Sequence, residues 1–217
     1  MIVDWPASIA EARAVQERLR QQVAIGDTLV PIRHIAGVDI HVAPATGLTW
    51  AAIAVVELAT LDLVQSAMAA VPTGFPYVPG YLSFREIPAA LAALALLERP
   101  ADLMMVDGHG IAHPRRLGIA AHLGVLTSVP AIGVAKSRLI GEHEPPDAAR
   151  GSRTPLTHKG ETLGIVLRSR EGARPLYVSV GHRVSLEQAV ELVQATLTRY
   201  RLPEPTRLAD KLSRMHP

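Results

Sequence analysis

The sequence predicts an α/β protein built on one mixed sheet: an antiparallel three-strand meander plus parallel strands, flanked by helices. Three observations lead there. Residues 34–42, 49–58 and 61–70 read as successive strands joined by short turns, which makes an antiparallel meander. Beyond residue 86 the pattern changes to helix, strand, helix, strand, and that alternation calls for parallel pairing. The chain has 217 residues, 48% apolar and 19% charged, enough for one domain, 1–217, with a full core.

Composition narrows the function. The formal charge is only +2, so any basic surface for an anionic partner must be local. There is no cysteine, which excludes disulfides, thiolate catalysis and Cys-based zinc sites. The start, Met-Ile-Val-Asp-Trp-Pro, lacks a basic region followed by an apolar one, so no signal peptide is expected. The most apolar helix candidate, 87–97, is too short for a bilayer, which needs roughly 20 residues. The expectation is a cytoplasmic protein with no membrane partner.

Residues 6–23 read as a surface helix, with Ile9, Ala12, Val15 (or Gln16) and Leu19 near one face. In the strand at 34–42, Val38, Ile40 and Val42 alternate with Gly37, Asp39 and His41. Asp39 therefore faces away from the valines, beside a glycine that leaves room above the sheet. It reads equally as a solvated edge-strand residue or a functional carboxylate. Residues 71–86 are stiffened by Pro72, Pro76 and Pro79 and carry Phe75, Tyr77, Tyr81 and Phe84. A rigid Tyr77 suits a wedge or a stacking platform for a base, although a covering loop accounts for the stretch as well. A buried helix is expected at 88–97, with Glu86 just before it as a cap or a metal ligand.

The densest stretch is 106–118, Val-Asp-Gly-His-Gly-Ile-Ala-His-Pro-Arg-Arg-Leu-Gly. A buried strand, 103–107, ends on Asp107. Strand ends in open α/β sheets border ligand crevices. A helix is expected over 114–126, with Pro114 in its first turn. Arg115 and Arg116 would then sit at the positive end of the helix dipole, a conflict that a bound phosphate relieves. On these residues alone, a connection with two solvated arginines explains the stretch at least as well. A strand at 131–134 leads to Lys136, again at a carboxyl edge, where an ordinary exposed lysine is the alternative.

Residues 141–155 read as a flexible loop, and 161–168 and 176–180 as late strands that could pair as a hairpin. Ser185 with Gln188 makes a capping box for the last long helix. The tail, 201–215, ends in a short helix with Arg207 and Asp210.

Phosphate-loop and serine-elbow motifs are absent. His109 and His113 have helical zinc spacing, but Gly110 and Pro114 break the helix. What remains is a set of carboxylates on separate elements: Asp39, Glu86, Asp107 and Asp210. All-oxygen ligands suit Mg²⁺ or Mn²⁺. Two such ions, about 3.5–4 Å apart, would support phosphodiester hydrolysis. Arg115, Arg116, Lys136 and His113 would supply cationic contacts, and the strand order resembles the ribonuclease-H-like layout.

Four segments resemble the endonuclease V family of deoxyinosine-specific nucleases. They are the runs from Pro76 to Glu86, from Val106 to Gly118, from Ile132 to Lys136 and from Pro203 to Arg207. The resemblance extends from about Ile35 to Asp210. It implies a ribonuclease-H-like fold and Mg²⁺-dependent repair of DNA containing deaminated adenine. Cutting would fall at the second phosphodiester bond 3′ to the lesion, leaving a 3′-hydroxyl and a 5′-phosphate.

Position by position, Asp39, Glu86 and Asp107 match the family's metal-binding carboxylates. Asp210 matches a fourth site that varies between Asp and His. Tyr77 matches the wedge that fills the gap left by the extruded base. Gly80, Leu82, Gly108 and Gly118 would line the lesion pocket. His113 and Lys136 match residues near the scissile phosphate, and Arg115 and Arg116 become phosphate contacts. The working unit is expected to be a monomer. Two other readings stand beside this one: a protein that binds inosine sites without cutting, and a nuclease whose substrate is inosine-containing RNA.

Overall fold

The computed structural model describes residues 5–28 and 31–215. The elements run α1 (Ile9–Leu19), β1 (His34–Ala43), β2 (Leu48–Glu57), β3 (Leu63–Pro72), α2 (Leu82–Leu94), β4 (Leu103–Val106), α3 (Ile119–Thr127) and β5 (Ala131–Ala135). There follow β6 (Arg153–His158), β7 (Glu161–Leu167), β8 (Leu176–His182), α4 (Leu186–Ala195) and α5 (Glu204–Ser213). One eight-stranded sheet has the order β3-β2-β1-β4-β5-β8-β7-β6. Pairing is parallel at β1–β4 and β4–β5, and antiparallel elsewhere. The predicted meander and parallel strands are both present, in the ribonuclease-H-like layout.

Alternation along the strands sorts the core into two layers. Ala36, Val38, Met104 and Val106 pack with Ile87, Ala90 and Leu123 of α2 and α3. Ile35, Leu103 and Met105 face the other way, with Val190 of α4 and Leu208 of α5. Gly37 lies on this second face. A Cβ there would overlap the Pro205 carbonyl, so the missing side chain lets the start of α5 rest directly on β1.

The first helix (expected over 6–23) and the third strand (61–70) shift by a few residues, and three further differences each have a local reason. Helix α2 starts at Leu82, so Pro88 lies inside it and Glu86 is a helical residue rather than a cap. Proline cannot donate to the carbonyl four residues back. That carbonyl, on Phe84, instead accepts from the Trp5 indole N–H at 2.6 Å. Trp5 also stacks on the buried His122 ring, 6.0 Å between centroids. Helix α3 begins at Ile119 and not at Pro114. Arg116 takes the left-handed conformation (φ 57°), which ends any helix there, and residues 113–116 form a turn. The dipole conflict expected for Arg115 and Arg116 therefore does not arise. The loop expected over 141–155 gives way at Arg153 to β6, an edge strand that accommodates Pro155.

The late strands β7 and β8 do pair as an antiparallel hairpin. Ser185 caps α4 by accepting from Gln188 N–H at 3.1 Å, but Gln188 Oε1 accepts from Thr28 N–H, so only half the capping box forms. Among the described residues, no helix is long and apolar enough to cross a membrane.

Gly37→Ala is expected to push α5 off β1 and cost about 1–3 kcal/mol by overpacking. For a chain of this size that lowers Tm by roughly 2–4 °C per kcal/mol. A thermal melt equal to wild type would show that α5 does not depend on this approach.

Candidate active site

The site starts from strand register. Val38 of β1 pairs with Val106 of β4, and Asp107 N–H donates to the Val38 carbonyl at 2.9 Å. The next residues, Asp39 and Asp107, are therefore neighbours, and alternation turns both toward the α5 face. Helix α5 adds Asp210 and, one turn on, Ser213, whose hydroxyl donates to Asp39 Oδ2. One oxygen from each of Asp39, Asp107 and Asp210 lies within 4.8 Å of the others. Lys136, the residue after β5, places Nζ 2.5 Å from Asp107 Oδ2 and 2.7 Å from Asp210 Oδ1. The exposed Arg214 reaches the other Asp210 oxygen at 3.0 Å.

This crowding shifts proton affinities. Burial, and then the neighbouring Asp107 charge, push the Asp39 carboxyl up to about 7 against the opposing Ser213 hydrogen bond. Burial raises Glu86 to about 8, with Asp107 and Asp39 adding to the effect. Burial pulls Lys136 down, but Asp107 and Asp210 outweigh it, so its ammonium stays charged. Burial pushes Asp210 up, yet Lys136 and Arg214 hold it below the usual carboxylate range. The group has more negative charge than one lysine balances, and its donors are all oxygens. A hard divalent cation fits both facts. Glu86 faces the same cleft without joining the 4.8 Å group.

The cleft holds about 360 Å³. Asp39, Glu86 and Asp107 line it together with Tyr77, Gly80, Leu82, Gly108, His113 and Gly118, so that β1, the 77–86 stretch and the 107–118 stretch all contribute. Tyr77 stands 68% exposed at its edge. Lys136 and Asp210 join the lining residue Asp107 from the side. His113 is buried, and its Nδ1 accepts from Arg115 N–H at 3.2 Å. Burial first, then the Arg115 charge, lower its pKa to about 4, so the ring is neutral at physiological pH.

Arg115 and Arg116 are not among the lining residues. Arg115 donates to the Gly80 carbonyl at 2.6 Å, and Arg116 pairs with Glu161 at 2.7 Å. Ser213 and Leu139 are not singled out in the sequence, and His109 is weighed there only as a zinc ligand and set aside. Ser213 had a signal in its spacing of three from Asp210, one helical turn. His109 and Leu139 both line the cleft.

The sequence model of the Endonuclease V family matches residues 17–211. Endonuclease V of Roseiflexus sp. (strain RS-1) is 54% identical over 209 residues, covering 96% of this chain and 93% of that protein. The chain belongs to the endonuclease V family. A solved endonuclease V from Streptomyces avermitilis superposes with a TM-score of 0.92 at 47% identity, covering 97% of this chain and 93% of that one. Endonuclease V of Ciona intestinalis, solved with a 24mer DNA containing an inosine followed by a ribo-adenosine, gives 0.83 at 32% identity, over 95% of this chain and 96% of that one. Endonuclease V proteins are nucleases. In this member Asp39, Glu86 and Asp107 line one cleft, with Lys136 and Asp210 beside it.

The raised carboxyl pKa values fix a sign. In metal-free protein, Asp39 and Glu86 hold protons when folded that they lose near pH 4 when unfolded. Their contribution to stability is complete below that range and is lost as pH rises through about 7 and 8. The lowered histidines act in the opposite sense, but only below their unfolded pKa of about 6.5. Between pH 6.5 and 8.5, Tm in EDTA is thus expected to fall. Added Mg²⁺, competing with fewer protons, should raise Tm more at pH 8.5 than at 6.5. An Mg²⁺-induced rise that is equal or larger at pH 6.5 would contradict this electrostatic picture.

Proposed function

We propose that this endonuclease V cuts DNA at deoxyinosine and requires a divalent cation, Mg²⁺ with Mn²⁺ as a substitute. The observation that carries the reading is the convergence of Asp39, Asp107, Asp210 and Lys136 beside a cleft edged by the exposed Tyr77. The inosine-containing DNA bound by the Ciona relative supports the choice of lesion. The reading takes a single chain as the working unit, in the cytoplasm.

Asp39, Asp107 and Glu86 would hold the cation, with Asp210 as a fourth carboxylate. When bound, the cation supplies Lewis-acid stabilisation of the phosphoryl group and of the leaving oxygen. Water adds to phosphorus and the bond to the 3′-oxygen breaks. That oxygen takes a proton, giving a 3′-hydroxyl and a 5′-phosphate. The bond cut is the second one 3′ to the lesion.

The chain's own residues bind and orient. Lys136 keeps its ammonium charge beside the scissile phosphate. Tyr77 fills the gap left when the base leaves the stack, which a weakly paired base does at least cost. Gly80, Leu82, Gly108 and Gly118 form narrow walls around the flipped base. Hypoxanthine presents a carbonyl where adenine has an amine, and backbone N–H groups in such walls select that acceptor. His113, neutral and buried, shapes the wall next to the phosphate.

A second reading concerns the sugar. The Ciona complex carries a ribo-adenosine after the inosine, which favours tolerance of a ribose at the cut.

The test uses labelled duplexes with and without one deoxyinosine, in Mg²⁺ or EDTA, and the matching inosine RNA. A single Mg²⁺-dependent nick 3′ of the lesion is expected, reduced at least a hundredfold or so in Asp107→Ala, whose fold should persist. Retained nicking in Asp107→Ala would remove the proposed metal chemistry. Binding without cutting would make the protein a reader of inosine, and cutting of RNA alone would move the substrate class.

A further inference from the structure

Gln16 has no part in the roles assigned above. It projects from the core face of α1 between Ala12 and Leu19 and is fully buried. A buried amide needs partners at both ends. Its Nε2 donates to the Gly80 carbonyl at 2.9 Å, and its Oε1 accepts from Arg115 Nε. Arg115 Nη2 donates to the same Gly80 carbonyl at 2.6 Å, and the guanidinium lies 4.2 Å over the Tyr81 ring. Two donors use both lone pairs of that carbonyl.

The N–H of the same peptide unit, on Tyr81, donates to the Val78 carbonyl at 3.0 Å and closes the turn at 78–81. The Gly80–Tyr81 peptide thus has neither end available to a ligand. Gly80 itself is in the left-handed region (φ 79°), and a Cβ would meet the Arg115 guanidinium at 2.8 Å. The residues bracketing this pinned peptide, Tyr77, Pro79 and Leu82, line the cleft. Gln16 and Arg115 do not line it.

We propose that Gln16 and Arg115 are positioning residues for base recognition. Together they hold the Gly80 carbonyl out of use and set the tilt of the 78–81 turn. They thereby decide where Tyr77 and the first turn of α2 meet the extruded base. The inference rests on the proposed function, since it needs a base in the cleft. It assigns Arg115 to the protein rather than to phosphate. The amide at position 16 is chemically specific. A glutamate would still pair with Arg115 but would turn an acceptor toward an acceptor at Gly80. A methionine of similar length would leave both partners short of a hydrogen bond.

Because Gln16 touches none of the carboxylates, its loss should weaken substrate binding and spare the chemical step. The experiment is steady-state nicking of a single-deoxyinosine duplex in Mg²⁺ by the full chain. For Gln16→Met, KM is expected to rise about tenfold, the scale of one or two unmet buried hydrogen bonds. Its kcat should stay within about twofold of wild type, because the lost interaction acts on binding.

A purely structural role would not produce the second readout, a double-mutant cycle with Tyr77→Ala. If Gln16 works through the turn, most of the rise in KM disappears in the Tyr77→Ala background. Should Gln16→Met melt below the assay temperature, Arg115→Lys carries the same KM comparison, since lysine cannot reproduce the planar fork. Unchanged KM, a loss confined to kcat, or additive effects with Tyr77→Ala would each overturn the inference while wild type still cuts. A wild-type chain that leaves inosine duplexes intact would overturn the proposed function first, and this inference with it.

Discussion

Parallel pairing of β1 with β4 sets Asp39 beside Asp107, and two carboxylates at that spacing repel one another in a partly buried site. Much of the surrounding architecture answers that repulsion. Lys136 comes off the next parallel strand and bridges Asp107 to Asp210. Helix α5 brings a hydroxyl onto Asp39, and it can do so because Gly37 lets the helix lie directly on β1. Burial first, and then the repulsion these contacts leave uncompensated, appear as raised proton affinity at Asp39 and Glu86. The same surplus of negative oxygen is what a divalent cation would neutralise.

The other side of the cleft follows a different rule, that of satisfied backbone. Pro88 removes a donor from α2, and the Trp5 indole replaces it at the Phe84 carbonyl. Trp5 also stacks on His122, whose Nδ1 meets Ser83 at 3.0 Å. Gln16 and Arg115 satisfy the Gly80 carbonyl in the same manner. Segments far apart in the chain thus hold the aromatic turn and the start of α2 as a stiff wall. Under the proposed function this wall distinguishes one flat base from another by hydrogen bonding, a task that gains from stiffness. The two sides meet at Glu86, which belongs to α2 by sequence and to the carboxylates by charge.

Much of this was legible from residues alone. The alternation around Asp39 showed its face, and Gly37 showed the space above it. Asp107 after a buried strand, and Lys136 after another, marked one edge of the sheet. The aromatic, proline-rich turn stood out in a chain with only 4% aromatics. Helix starts were the weak point. Pro88 reads as a first-turn proline, and nothing near it shows that an indole more than eighty residues earlier replaces the missing donor. Pro114 misled in the same way, because the left-handed Arg116 closes back on the His113 carbonyl and its guanidinium is tied to Glu161 of β7, 45 residues further on.

Side-chain type and spacing along the chain determined which groups could do chemistry: oxygens without thiolates, a lysine at a strand end, a tyrosine held between prolines. Periodicity determined the faces they would take, because the two-residue repeat of a strand is local geometry. Tertiary structure alone decided how the charges compensate and which polar groups are spent. Asp210 and Ser213 lie far along the chain from Asp39, and Gln16 lies 64 residues from Gly80. Such pairings depend on how helices settle on the sheet, through close approaches and buried hydrogen bonds that no short window of sequence contains. Arg115 is the clearest case: its sequence neighbours leave solvent and phosphate both open, and its partners across the fold, Gln16 and the Gly80 carbonyl, engage it instead.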